Sequence, residues 1–254
     1  MYDPPGYVWA ITLAGVIAVP LATCVVLYGG GMRAGLGRRR AAALAGGAAI
    51  VLGAWFTASG LIAGQGWYHT RLGHGVPWLP VAVLGSLITL LALRRIPVVA
   101  RALTAPGTTD RLEVPHVFRV AGVAFLITMA LGHLPAVFAL PAGLGDITTG
   151  VVAALLLLRR PAGRPGRRAF LWLNAFGLAD LVVALTLGAL TAYQIIDVSP
   201  AGSAISTLPL ALVPTAEVPL LIALHLTSVP ALAKSSPTLL RPAVPVTVAE
   251  TSGR

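Results

Sequence analysis

Seven apolar runs constrain this chain more than any other feature: residues 8–28, 41–63, 76–94, 117–134, 142–158, 169–191 and 208–231. A helix needs about 20 apolar residues to cross roughly 30 Å of hydrocarbon. Lipid offers no partner for backbone N–H and C=O groups, so a spanning segment must satisfy them internally. The expected fold is all-α: one polytopic transmembrane bundle of about seven spans over residues 1–231, with a Ser-, Pro- and Val-rich disordered tail over 232–254. Composition agrees, since 57% of the residues are hydrophobic and 10% charged, against about a quarter charged in soluble domains.

The net charge of +10 would suggest nucleic acid in a soluble protein. Here the basic residues gather in short runs between apolar stretches, which is a topology signal, and no nucleic-acid partner is expected. Arg33 and Arg38–Arg40 follow the first run, and Arg94, Arg95, Arg101 and Arg111 follow the third. Arg159, Arg160, Arg164, Arg167 and Arg168 follow the fifth, and Lys234, Arg241 and Arg254 lie in the tail. The other side carries Arg71 alone. This asymmetry places the N-terminus outside and the C-terminus in the cytoplasm. Arg is used almost to the exclusion of Lys, a bias that fits a GC-rich bacterial genome, so the expected location is a bacterial plasma membrane.

The opening MYDPPGYVWA lacks the basic start of a cleavable signal, so the first span is expected to stay. Trp67, Tyr68 and Trp78 are expected at the outer water boundary. Cys24 is the only cysteine, which excludes an internal disulfide and a thiolate cluster.

Ionisable groups inside spans cost about 2.5–3.5 kcal/mol each at mid-helix and are functional candidates by default. Counted at about 1.5 Å per residue from the cytoplasmic ends, Asp180, Asp146, Glu217 and His133 fall at roughly 15–24 Å and form one layer, read as a substrate- or ion-binding set. Arg119, Asn174 and His225 fall within about 10 Å and form a second, inner group. Arg119 reads best as an interfacial cation.

Gly143-Leu144-Gly145-Asp146-Ile147 and Gly177-Leu178-Ala179-Asp180-Leu181 repeat one pattern on successive runs, which points to a carboxylate dyad flanked by small residues. In GHLPAVFALPAGLGD, Pro135 and Pro141 are expected to break the helix. Pro141 would then start the fifth span, with His133 near Asp146. Pro214 and Pro219 flank Glu217, and each frees a backbone carbonyl, which favours a polar pocket at that depth. A metal set of His69, His74, His133 and Asp146 is the weaker alternative, and neither a metal nor a cofactor is expected.

From Arg119-Val120-Ala121-Gly122 through GHLPAVFALPAGLGD, Asn174 to Asp180, and Pro214, Pro219 and His225, the chain resembles a group of uncharacterised bacterial multi-span membrane proteins. That resemblance covers residues 117–231 and implies no activity. The seven spans with acids facing a cavity are also similar in architecture to membrane-integrated terpene cyclases, although the acid those enzymes carry in their second span is missing here.

The leading functional expectation is a proton- or cation-coupled transporter built on the carboxylates. One alternative is a membrane enzyme acting on an isoprenoid or lipid, for which no catalytic residue is assigned. The other is a non-catalytic sensory or assembly subunit. The expected partners are the bilayer and a small ion or lipophilic molecule.

Overall fold

The computed structural model describes residues 3–69, 75–159 and 167–234, and among these every regular element is helical. Five helical stretches are long and apolar enough to cross a membrane: Gly6–Arg33 (α1), Arg38–Gly64 (α2), Thr109–Ala130, Ala136–Leu158 (α6) and Arg168–Ala192, the last within α7 (Arg167–Ala192). A sixth is reached if Trp78–Leu93 (α3) and Pro97–Thr104 (α4) count as one span, although they meet at 84°. The last apolar stretch, Val213–Val229, is shorter; its first turn is a π-helix over Val213–Glu217, which runs into α8 (Val218–Lys234). The described residues thus form an all-helical fold with five to six helices long and apolar enough to cross a membrane.

The outer surface supports that reading. Leu158 and Trp172 are each 74% exposed, and Val25, Ile50, Leu61 and Ile88 also face outward, a belt that water would not tolerate but hydrocarbon does. Ala, Gly and Ser on the inner faces let the helices approach closely. A core of Val19, Leu181, Leu221 and Leu224 holds α1, α7 and α8 together.

Several features depart from the sequence expectations. The third run bends after Leu93, because Pro97 cannot continue a helix. The chain restarts there as α4, with Pro97 in its first turn. The carbonyl of Ala102 on α4 lies directly over Gly30 of α1, where no Cβ would fit. Tyr68 does not sit at a water boundary; it is buried, with its hydroxyl 3.0 Å from Ser59 Oγ.

The fourth span begins at Thr109 rather than 117, and its inner half is wound as a 3-10 helix over Pro115–Gly122 before becoming α5 (Val123–Ala130). The fifth begins at Ala136 with Pro135 as its N-cap, and Pro141 lies inside it. Between α5 and α6, Gly132 adopts φ 79°. Its N–H donates to Met129 O at 2.8 Å, and that of His133 donates to Thr128 O at 3.0 Å. This is the Schellman closure of a helix, in which the left-handed residue is best filled by Gly. Of the expected tail, residues 232–234 belong to α8, and 235–254 lie outside the described residues.

Candidate functional site

The winding of the fourth span decides which side chains face the interior. A 3-10 helix has three residues per turn, so residues three apart are stacked in line. Glu113, His116, Arg119 and Gly122 follow that spacing, and all four are buried. An α-helix would rotate by about 60° at each such step and carry Gly122 to the side opposite Glu113. The tighter winding therefore turns one carboxylate, one imidazole, one guanidinium and one gap into a single stripe.

Arg119 is the centre of the stripe. It is 1% exposed and stands near the middle of its span, as Asp146 and Asp180 do in α6 and α7. Its Nε donates to Asp146 Oδ1 at 2.7 Å, and its Nη2 donates to Asp180 Oδ2. Nη1 donates to the carbonyl of Gly177 at 3.3 Å and lies 3.4 Å from His225 Nε2. The planar guanidinium fork thus ties together three spans and α8.

The rest of the network has a defined polarity. Arginine can only donate, so His225 Nε2 accepts and Nδ1 carries the proton. That Nδ1 donates to Asn174 Oδ1 at 2.9 Å. The Asn174 amide nitrogen donates to Glu113 Oε1 at 2.7 Å and to the carbonyl of Phe170 at 2.8 Å. A directed chain of donors therefore runs Arg119, His225, Asn174, Glu113. It leads from mid-span to the basic end of the bundle, covering roughly 12 Å at about 2 Å per residue of 3-10 rise. His116 stacks on His225, with ring centroids 3.8 Å apart and planes 19° from parallel. Among the described residues neither ring nitrogen of His116 has a hydrogen-bond partner, although the residue is fully buried.

Missing side chains make this room. A Cβ on Gly145 would overlap the Asp180 carboxylate, and one on Gly122 would overlap Asp146. One on Gly177 would lie 2.7 Å from His225 Nε2 and 3.0 Å from Arg119 Nη1. The small residues of the repeated Gly-Leu-small-Asp pattern therefore serve the site. Gly145 of the first copy faces the aspartate of the second, whereas Gly177 of the second faces the arginine and histidine.

Glu217 joins from the π-turn that leads into α8. Pro219 has no N–H, so the Thr215 carbonyl four residues earlier is free. It accepts from Trp55 Nε1 at 3.1 Å, and Ser86 Oγ, whose proton goes to Ala82 O at 2.7 Å, packs against it at 3.5 Å, while Thr215 Oγ1 sits 2.6 Å from Ser59 Oγ. The π-turn held this way buries Glu217, with Oε1 beside Gly15 of α1. Glu217, Thr12, Arg119 and Asp146 line one hollow of about 10 Å³, close to the size of a single water. A second hollow of about 40 Å³ reaches Asp146 between Phe125, Phe138 and Leu181.

Several expectations are changed by this geometry. Asp146 and Asp180 are brought together, with Glu217 on the same hollow. His133 is not: it is exposed on the Schellman corner, about 15 Å along α6 from Asp146. Because α6 starts at Ala136, Asp146 is three turns inside the helix, and no helix-terminus effect acts on it. Arg119 is not an interfacial cation, and it joins the two expected layers into one network. Of the alternative metal set, His69 and His133 are exposed, and His74 lies outside the described residues.

Among the described residues the group with metal-ligand character is a different one: Glu113, His116 and His225, whose ligand atoms lie within 4.8 Å of one another. Stacked imidazoles aim their in-plane lone pairs side by side instead of at one point, and the Arg119 guanidinium adjoins His225. As arranged, this cluster is poorly disposed to converge on one metal ion. Glu113 and His116 escaped the sequence reading; their Glu-x-x-His spacing ahead of the apolar run was the available signal.

A family model described as Domain of unknown function (DUF8737) matches residues 76–233, which include every member of the network. No curated protein and no solved structure matches the chain.

Proposed function

The chain belongs to the DUF8737 family, whose description names no activity, and from the geometry we propose that it is a proton-coupled carrier of the plasma membrane. In this reading seven segments cross the bilayer, with the N-terminus outside and the basic loops in the cytoplasm. The observation that carries the proposal is a charge imbalance. Among the described residues, Asp146, Asp180 and Glu217 share one site with a single guanidinium, Arg119, which contacts the two aspartates.

Unpaired charge is expensive at this depth, so the surplus acid has to be matched by protons or by a small cation. Asp146 is the natural point of exchange, because it borders both hollows and its side chain keeps 13% exposure while Arg119 keeps none. The donor chain from Arg119 through His225 and Asn174 to Glu113 fixes the orientation of these side chains on the basic side of the site.

An enzyme acting on a lipophile is less well supported. The large apolar cavity described below shares no lining residue with Arg119, Asp146, Asp180 or Glu217.

Proteoliposomes loaded with a pH-sensitive dye test the proposal. An imposed potential should drive acidification through the wild-type protein, and Asp146→Asn or Asp180→Asn should reduce the rate at least tenfold. Wild-type flux no greater than that of empty liposomes, or full flux in both variants, would remove the carrier reading.

A further inference from the structure

A second site lies apart from the polar network. At the basic end of the bundle, α1, α2, the α3–α4 elbow and α8 enclose a cavity of about 370 Å³, within the range of roughly 300–1,000 Å³ that ligand pockets occupy. Its walls are aliphatic, with Leu27, Val51, Leu93, Val99 and Leu224 among them. Thr23 and Thr227 also reach it, but their hydroxyls are used by Val19 O at 2.8 Å and Ala223 O at 2.7 Å.

Among the described residues, Arg94 is the one charged member of the lining. It sits where α3 breaks, and its Nη1 is pinned to α8 through Leu226 O at 3.1 Å and Thr227 Oγ1 at 3.5 Å. Both bonds leave from one nitrogen, so Nη2 and Nε of the fork are available to a guest. No carboxylate lines the cavity to neutralise it. Arg33, Arg38, Arg39, Arg40 and Arg95 lie at the same end of the helices, adding positive potential.

We propose that this cavity binds a lipid of the surrounding leaflet that has a single chain and an anionic headgroup, with the chain among the aliphatic walls and the carboxylate or phosphate on Arg94. A cavity of this volume takes one chain rather than two. A guanidinium fork pairs with a planar or tetrahedral anion through two parallel hydrogen bonds, which a hydroxyl headgroup cannot match. α2 forms the outer wall with few buried residues, which gives the guest lateral entry from lipid. The site requires no transport activity, so it stands or falls independently of the carrier reading.

The test is photo-crosslinking of the full chain in nanodiscs with a diazirine-bearing long-chain fatty acid, read by intact mass and peptide mapping. Gly47→Leu is the discriminating variant: Gly47 lines the cavity and a Cβ there meets nothing within 4 Å, so a leucine at the cavity wall overlaps no neighbour. One label per chain is expected, mapped to α2, α4 or α8. An alkyl phosphate of equal chain length should compete at least tenfold better than the corresponding alcohol, and Gly47→Leu should lower labelling at least fivefold. Arg94→Gln should abolish the preference for the anion over the alcohol. Equal competition by the alcohol, labelling indifferent to Gly47→Leu, or a preference that survives Arg94→Gln would overturn the proposal.

Discussion

Gly145 and Asp180 face each other across the α6–α7 contact so closely that a Cβ on the glycine would occupy the position of the carboxylate. Room for the charged centre is thus set by a missing side chain on the neighbouring helix. Gly145→Ala should displace Asp180 from Arg119 and cost about 1–3 kcal/mol by overpacking, more if the ion pair is lost. Thermal unfolding in detergent measures this. Gly53→Ala, where nothing lies within 4 Å, is the matched control and should be neutral or slightly stabilising.

Arg119 should behave as the shared counter-charge of two acids. Arg119→Met alone leaves two buried carboxylates uncompensated and is expected to cost about 3–5 kcal/mol. Combining it with Asp146→Asn and Asp180→Asn should recover most of that loss, giving a large favourable coupling in a mutant cycle. Additive losses would mean that the three groups do not act as one unit. Arg119→Lys should fall between, since an ammonium cannot span both partners in a plane.

His116 offers a separation of stability from activity. Phe in its place keeps a ring against His225 and removes two buried nitrogens that have no partner, so His116→Phe should unfold at the same temperature as wild type or higher. Proton flux should nevertheless fall several-fold if the stacked pair takes part in proton transfer. Unchanged flux would give the stacked pair a packing role alone.

The proline-opened turn can be closed by restoring a donor. Pro219→Ala gives residue 219 an N–H that competes for the Thr215 carbonyl, at the expense of Trp55. The indole of Trp55 should then show altered fluorescence, and Glu217 should move. Identical emission from the variant would mean that the π-turn does not depend on the missing donor.

Much of this was legible in the sequence because burial in lipid is coded by long apolar runs, and because an acid within such a run has few explanations. Asp146, Asp180, Glu217, Asn174 and His225 stand out on those grounds. The winding of the fourth span was not legible. Counted with an α-helical rise from residue 117, Arg119 falls near the water boundary, whereas a 3-10 segment entering from Thr109 carries it to mid-span with Glu113 and His116 on the same side. His133 misled for a different reason. It follows a left-handed glycine in a helix-ending motif, and that local geometry explains its place without any role in a site.

If the proposed carrier works through Asp146 and Asp180, clasped by Arg119, these carboxyl groups exchange a proton. Difference infrared spectroscopy of the purified, reconstituted protein across a pH titration follows the stretch of protonated carboxyl groups. A pH-dependent carboxyl band that is lost or shifted in Asp146→Asn and in Asp180→Asn is expected. A spectrum with no such band, or a band unchanged in both variants, would rule the exchange out.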